Sequence, residues 1–191
     1  ALPCVGLGTW QTFDVGPSAG DRAEVADVLT RFFALGGRIL DSSPMYGRSE
    51  HVVGALWPKI DGAKPFLATK VWTSGEDAGR RQMKRSMARM SAKVMDLMQV
   101  HNLVDVKTHL PVLREWKAAG RIRYLGVTHY VTSAFDDLER LMKREELDFV
   151  QLPYSVATRD AEKRLLPAAQ DTGTAVLVNR PFEGGSLFRK V

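Results

Sequence analysis

The hydrophobic period along this chain switches regularly between that of strands and that of helices. Seven short runs of β-branched and apolar residues stand out: CVGLGT near residue 5, RILDS near 39, FLATKV near 67, DLMQVH near 97, RYLGVT near 124, FVQLPY near 150 and AVLVNR near 177. They recur roughly every 25 to 35 residues, the length of a strand plus a returning helix. The intervening segments carry helix punctuation. Ser18 or Asp21 can open RAEVADVLTRFFALGG, which stops on Gly36-Gly37, and Ser49 can cap EHVVGALW. THLPVLREWKAAG stops at Gly120, Thr132 or Ser133 can cap AFDDLERLMKREE, and RDAEKRLLPAAQDTG stops at Gly173. Such alternation predicts a parallel sheet built through right-handed crossovers. With no linker in view, residues 1–191 read as a single domain.

Polar residues at the strand ends choose between an open doubly wound sheet and a barrel. Asp41 follows the second strand, Lys70 sits on the third, His101 follows the fourth, Thr128-His129 follow the fifth, Gln151 lies on the sixth and Asn179-Arg180 follow the seventh. A switch point in an open sheet uses only neighbouring strands, whereas a closed barrel brings every carboxyl end to one mouth. The first turn also lacks a dinucleotide fingerprint, because Gly6-x-Gly8 is followed by Gln11 where a third glycine belongs. The predicted fold class is α/β, a parallel (β/α)8 TIM-type barrel with seven strands in this chain and the eighth strand region missing.

Composition excludes several classes. At 45% hydrophobic and 26% charged residues the chain has the profile of a globular domain with a sizeable core. The single cysteine, Cys4, rules out an intrachain disulfide, and with no paired histidines there is no zinc pattern, so no metal is expected. Cys4 lies in an apolar run and is expected to be buried. No apolar stretch reaches the roughly 20 residues of a membrane span, and no signal-like block opens the sequence, so the expected location is cytoplasmic. The net charge of +5 raises the question of nucleic acid. It concentrates in GRRQMKRSMARMSAK, where Arg81, Arg85, Arg89 and Lys93 recur every fourth residue and Met83, Met87 and Met90 mark the other stripe. That is an amphipathic helix with a solvated basic face, and without interleaved aromatics or a reading helix a nucleic-acid partner is not expected.

The stretch from Asp41 to Glu50, Asp-Ser-Ser-Pro-Met-Tyr-Gly-Arg-Ser-Glu, supplies the chemistry. At the mouth of a barrel Asp41 and Tyr46 would meet Lys70 and His101. A phenol titrates near 10 in water, so to exchange protons near neutrality its ionised form needs support. The Lys70 ammonium is suited to lower the Tyr46 pKa, Asp41 to keep that ammonium charged, and His101 to aim a carbonyl oxygen at the Tyr46 hydroxyl.

These residues carry a resemblance. From VGLGTWQ through the Asp41 to Glu50 stretch, LATKVW, DLMQVHN, GRIRYLGVTH and FVQLPYS to VLVNRPF, the chain resembles the aldo-keto reductases. The resemblance implies that Asp41, Tyr46, Lys70 and His101 are the catalytic tetrad, with Tyr46 the general acid. It implies a cofactor, NADP(H), with NAD(H) left open, that passes hydride to a small-molecule carbonyl substrate. Thr9, Trp10 and Asp41 would lie beside the nicotinamide, Thr128, His129 and Gln151 at its carboxamide, and Asn179, Arg180, Pro181 and Phe182, with Glu183-Gly184-Gly185-Ser186, behind the ring and pyrophosphate. Trp10, Trp72 and Asn102 would line the substrate side.

Three departures stand against that pattern. His129 replaces the usual Asn, and Asn179 replaces an aromatic ring that stacks on the nicotinamide, a task Phe182 is placed to take over. The chain also reads as a domain truncated at both ends, without the bottom hairpin or the eighth strand, whose downstream region carries the adenine and 2'-phosphate contacts. A nicotinamide-binding redox-sensing subunit on the same fold is the alternative function, and the sequence leaves the oligomeric state open.

Overall fold

The computed structural model describes residues 2–189. Seven strands alternate with helices in the order β1 (Gly6–Gly8), α1 (Ala19–Ala34), β2 (Ile39–Asp41), α2 (Ser49–Leu56), β3 (Phe66–Val71), α3 (Glu76–Arg89), β4 (Met95–His101), α4 (Val106–Ala118), β5 (Ile122–Thr128), α5 (Phe135–Arg144), β6 (Phe149–Pro153), α6 (Leu165–Thr172) and β7 (Ala175–Asn179). Every strand pairs in parallel with the next, so the sheet order is the chain order.

That sheet is rolled into a nearly closed barrel. Gln151 on β6 donates to Asp41 on β2 at 3.1 Å. Neighbouring strands lie about 4.8 Å apart, so four intervals of a flat sheet would separate these residues by roughly 19 Å. Phe66 on β3 and Phe149 on β6 also face each other across the interior, with ring centroids 6.0 Å apart. Strand alternation then splits the core in two. Ile39, Phe66, Ala68, Leu97 and Phe149, with Leu177 against them, fill the barrel interior. The intervening positions Leu40, Leu67, Val71, Met98, Val100, Val127 and Val150 pack outward onto Leu29, Met83, Leu113, Trp116 and Leu138 of the helices. β3 and β4 are buried at every position, as strands covered on both faces must be.

Local chemistry sets most helix ends. Ser18 and Asp21 form a reciprocal capping box at the start of α1. α6 closes on Gly173 in the left-handed conformation at φ 68°. The basic stripe of α3 is exposed while Met83 and Met90 are buried. Two expected caps are corrected. Ser49 is the first residue of α2 and its hydroxyl donates to the Thr9 carbonyl at 3.0 Å, so a tertiary partner displaces the cap. Thr132 and Ser133 lie in a 3-10 turn, Thr132–Ala134, ahead of α5, and neither side chain caps it. Cys4 is exposed rather than buried, because β1 is only three residues long and Cys4 precedes it in a bend.

Candidate active site

Residues 41–50 leave β2 as a tightly fastened turn. The Tyr46 amide donates to the Ser43 carbonyl and the Ser49 amide to the Tyr46 carbonyl, each at 3.0 Å, so two successive turns fold Tyr46 back over the strand end. Gly47 makes the reversal at φ 58°, and a Cβ there would stand 2.2 Å from Asp14 Oδ2. The Asp14 carboxylate also accepts from the Arg48 amide at 2.9 Å, pinning the turn. Ser49 ties the start of α2 to β1. Buried Glu50 accepts from Thr69 Oγ1 on β3 at 2.6 Å and faces Arg89 at 3.5 Å. The first half of this stretch therefore presents reactive groups and the second half anchors them.

Lys70 is 1% exposed and its ammonium is held by Asp41 and the strand end. Its Nζ donates to both Asp41 oxygens at 2.8 Å and to the Ser42 carbonyl at 2.7 Å. Burial works to lower its pKa, but Asp41 and Tyr46 raise it further, so the net shift is upward and the buried group is a cation. Asp41, 15% exposed, receives the further bond from Gln151 Nε2. Thr9 Oγ1 lies 3.1 Å from the Asp41 carbonyl and 2.9 Å from Ser42 Oγ, fixing the strand end from the β1 side.

The Tyr46 ring sits beside this pair. Lys70 Nζ lies 5.2 Å from its centroid, and the His101 ring meets it edge to face at 5.8 Å. Burial is the largest influence on the Tyr46 pKa and raises it, the Lys70 charge and hydrogen bond lower it, Asp41 adds to the rise, and the net shift is upward. The expected net lowering by Lys70 is thus corrected: the ammonium acts in the expected direction, but desolvation and a neighbouring carboxylate outweigh it. His101 is pushed down to about 3, first by burial and then by the Lys70 and His129 charges, so its imidazole is neutral. Its Nδ1 lies 2.9 Å from buried Ser43 Oγ. All four expected catalytic side chains therefore converge at one end of the barrel.

The other expected residues gather around them unevenly. Thr128 Oγ1 donates to Gln151 Oε1 at 2.9 Å, so Gln151 bridges β5 and Asp41 and retains one amide proton outside these bonds. His129 Nδ1 accepts from the Tyr130 and Val131 amides at 3.0 and 3.3 Å, which leaves its proton on Nε2. Asn179 Nδ2 donates to the His129 carbonyl at 3.0 Å, while its Oδ1 is buried without a partner among the described residues. Arg180 follows at φ 55°, and Pro181 leads to Phe182, an exposed ring whose centroid lies 5.0 Å from that of Phe188. Trp10 and Trp72 are 59% and 41% exposed, which removes them from the core. Asn102, at φ 51°, follows His101 directly. Sequence reasoning passed over Ser43 and the Thr69–Glu50 pair. Strand parity could have found Ser43, which lies two residues beyond Asp41.

The aldo/keto reductase family model matches residues 4–191. The chain belongs to the aldo/keto reductase family. Among its relatives, the NADH-specific methylglyoxal reductase of Escherichia coli (strain K12) is 27% identical over 97% of this chain and 65% of its own length. An aldo-keto reductase of Mycobacterium sp. (strain KMS) is 34% identical over 68% of this chain and 47% of its own. An aldo/keto reductase from Klebsiella pneumoniae, solved in complex with NADP and acetate, superposes with a TM-score of 0.81 at 25% identity, covering 95% of this chain and 65% of that one. This aldo/keto reductase chain thus spans less than two thirds of the length of these relatives, from 47% to 65%, and its seven-stranded barrel corresponds to part of theirs.

Proposed function

We propose that this chain carries the catalytic site of an NAD(P)H-dependent carbonyl reductase in which Tyr46 protonates the oxygen of an aldehyde or ketone. One observation carries the reading: a fully buried lysine, paired with Asp41, beside a half-buried phenol and a neutral imidazole. Such a group is costly to bury for structure alone, and perturbed titratable groups at a barrel mouth mark function.

The residues fit a nicotinamide cofactor. Asn179 Oδ1 is a buried acceptor without a partner among the described residues, suited to a carboxamide N–H, and Gln151 has one amide proton to offer. Thr9, Thr128, His129 and Asn179 would hold the ring, with Arg180, Pro181, Phe182 and the segment Glu183 to Ser186 along the phosphates. Trp10, Trp72 and Asn102 would face the substrate. NADP and NADPH complexes of the Klebsiella pneumoniae relatives favour the phosphorylated cofactor, while the NADH-specific Escherichia coli relative keeps the other choice in play. When bound, the cofactor supplies hydride to the carbonyl carbon.

The chain's own part is acid catalysis. His101 Nε2–H orients the carbonyl oxygen, Tyr46 gives its proton to the oxygen as negative charge develops there, and Lys70 stabilises the phenolate left behind. Because burial keeps Tyr46 protonated through the neutral range, the acid is loaded before each turnover. Solvent then returns the proton, leaving alcohol and oxidised cofactor.

Tyr46→Phe tests the assignment. Reduction of a reactive aldehyde by the variant is expected to fall about 100- to 10,000-fold, with cofactor affinity by tryptophan fluorescence within about twofold of the parent. Retention of half the activity with chemistry rate-limiting would remove Tyr46 as the acid. Tight cofactor binding with no turnover in the parent protein would favour the redox-sensing subunit instead.

A further inference from the structure

We propose that Ser43 is a positioning residue that sets the tautomer and orientation of His101, and this rests on the reductase reading above. Ser43 is fully buried, and its Oγ lies 2.9 Å from His101 Nδ1. The same oxygen accepts from the Met45 amide at 3.4 Å, so one of its two lone pairs is in use on the backbone side. A hydroxyl has one proton to give. Among the described residues, Nδ1 is the acceptor within its reach.

The His101 ring is neutral and carries a single N–H. Two arrangements satisfy the contact. If Nδ1 were protonated it would donate to Ser43, which would strand the hydroxyl proton in a buried site and present the bare Nε2 lone pair to the mouth. A carbonyl oxygen arriving there would meet another acceptor. If Ser43 donates to Nδ1, the hydroxyl is satisfied and Nε2–H points at the oxygen that must be polarised. The second arrangement satisfies the serine and gives the imidazole the donor role the reaction requires. Ser43 can also swivel only within the turn that the Tyr46 and Ser49 amides close, so it holds the ring plane as well as its proton.

Two variants and a background test this. Ser43→Ala should lower kcat about tenfold, the value of one neutral hydrogen bond, with KM for cofactor unchanged. Ser43→Thr, which keeps the hydroxyl, should recover most of the rate. In a His101→Gln background, Ser43→Ala should have little further effect, because a residue that acts through the imidazole has nothing left to position. Nitrogen-15 NMR of the cofactor-free parent, with the His101 signals assigned by that variant, should show Nε2 protonated and Nδ1 accepting a hydrogen bond that Ser43→Ala abolishes. A protonated Nδ1 in the parent, or an equal rate loss from Ser43→Ala with and without His101, would overturn the proposal. The spectrum reads Ser43 without turnover, so an active Tyr46→Phe protein would remove Tyr46 as the acid while the tautomer stands or falls on the spectrum.

Discussion

Lys70→Met isolates the energetic core of the site. Methionine keeps most of the volume of the lysine stem, so the substitution opens little cavity and chiefly deletes the charge and three donors at 2.7 to 2.8 Å. What remains is a Ser42 carbonyl stripped of its partner and an Asp41 carboxylate only 15% exposed. Removing one member of a buried pair typically destabilises a protein by about 3 to 5 kcal/mol. Asp41 still receives the Gln151 amide at 3.1 Å and has an edge to water, which places the expected loss at the lower end, about 3 kcal/mol. Against a total stability of about 5 to 15 kcal/mol this is a large fraction. At a slope of about 2 kcal/mol per molar urea, the unfolding midpoint should fall by about 1.5 M, read by tryptophan fluorescence. Asp41→Asn in the same chain removes the stranded charge and should restore most of the loss. A Lys70→Met midpoint within about 0.5 M of the parent, or a double variant no more stable than the single one, would refute the view that Lys70 is held in place by Asp41.

Two further outcomes follow from the same geometry. His101 is held at about 3 against 6.5 for a free imidazole, so below about pH 6.5 the unfolded chain takes up a proton that the folded chain refuses, and stability falls with pH. Each unit between about pH 6.5 and 4.5 should remove about 1.4 kcal/mol from this group, and urea midpoints of His101→Gln should lack that part of the slope; an unchanged slope would show that His101 is not the group responsible. Gly47→Ala should destabilise by about 1 to 2 kcal/mol, since it puts a Cβ at φ 58° and 2.2 Å from Asp14 Oδ2. It should also reduce kcat more than it weakens cofactor binding because Tyr46 is the preceding residue, and a fully active, fully stable variant would show that the turn yields freely.

The strand periodicity alone determined seven parallel units, because a buried strand must be apolar on both faces and a connecting helix must repeat near 3.6, and both patterns are local. Strand-end chemistry then made the barrel and the four central residues legible: Asp41, Lys70 and His101 lie at the carboxyl ends of three neighbouring strands, and it is Gln151, reaching Asp41 from β6, that needs the sheet rolled. Where the sequence misled, a long-range partner had overridden a local signal. Ser49 looks like a cap until β1 offers it the Thr9 carbonyl, and Cys4 looks buried until β1 proves too short to cover it. The sign of the Tyr46 shift was decided only by tertiary structure, since it is a balance of burial against two opposite charges whose distances no one-dimensional pattern contains. Ser43 is the same kind of case. Its identity is plain in the sequence, but its meaning depends on a ring 58 residues away that the fold brings to 2.9 Å.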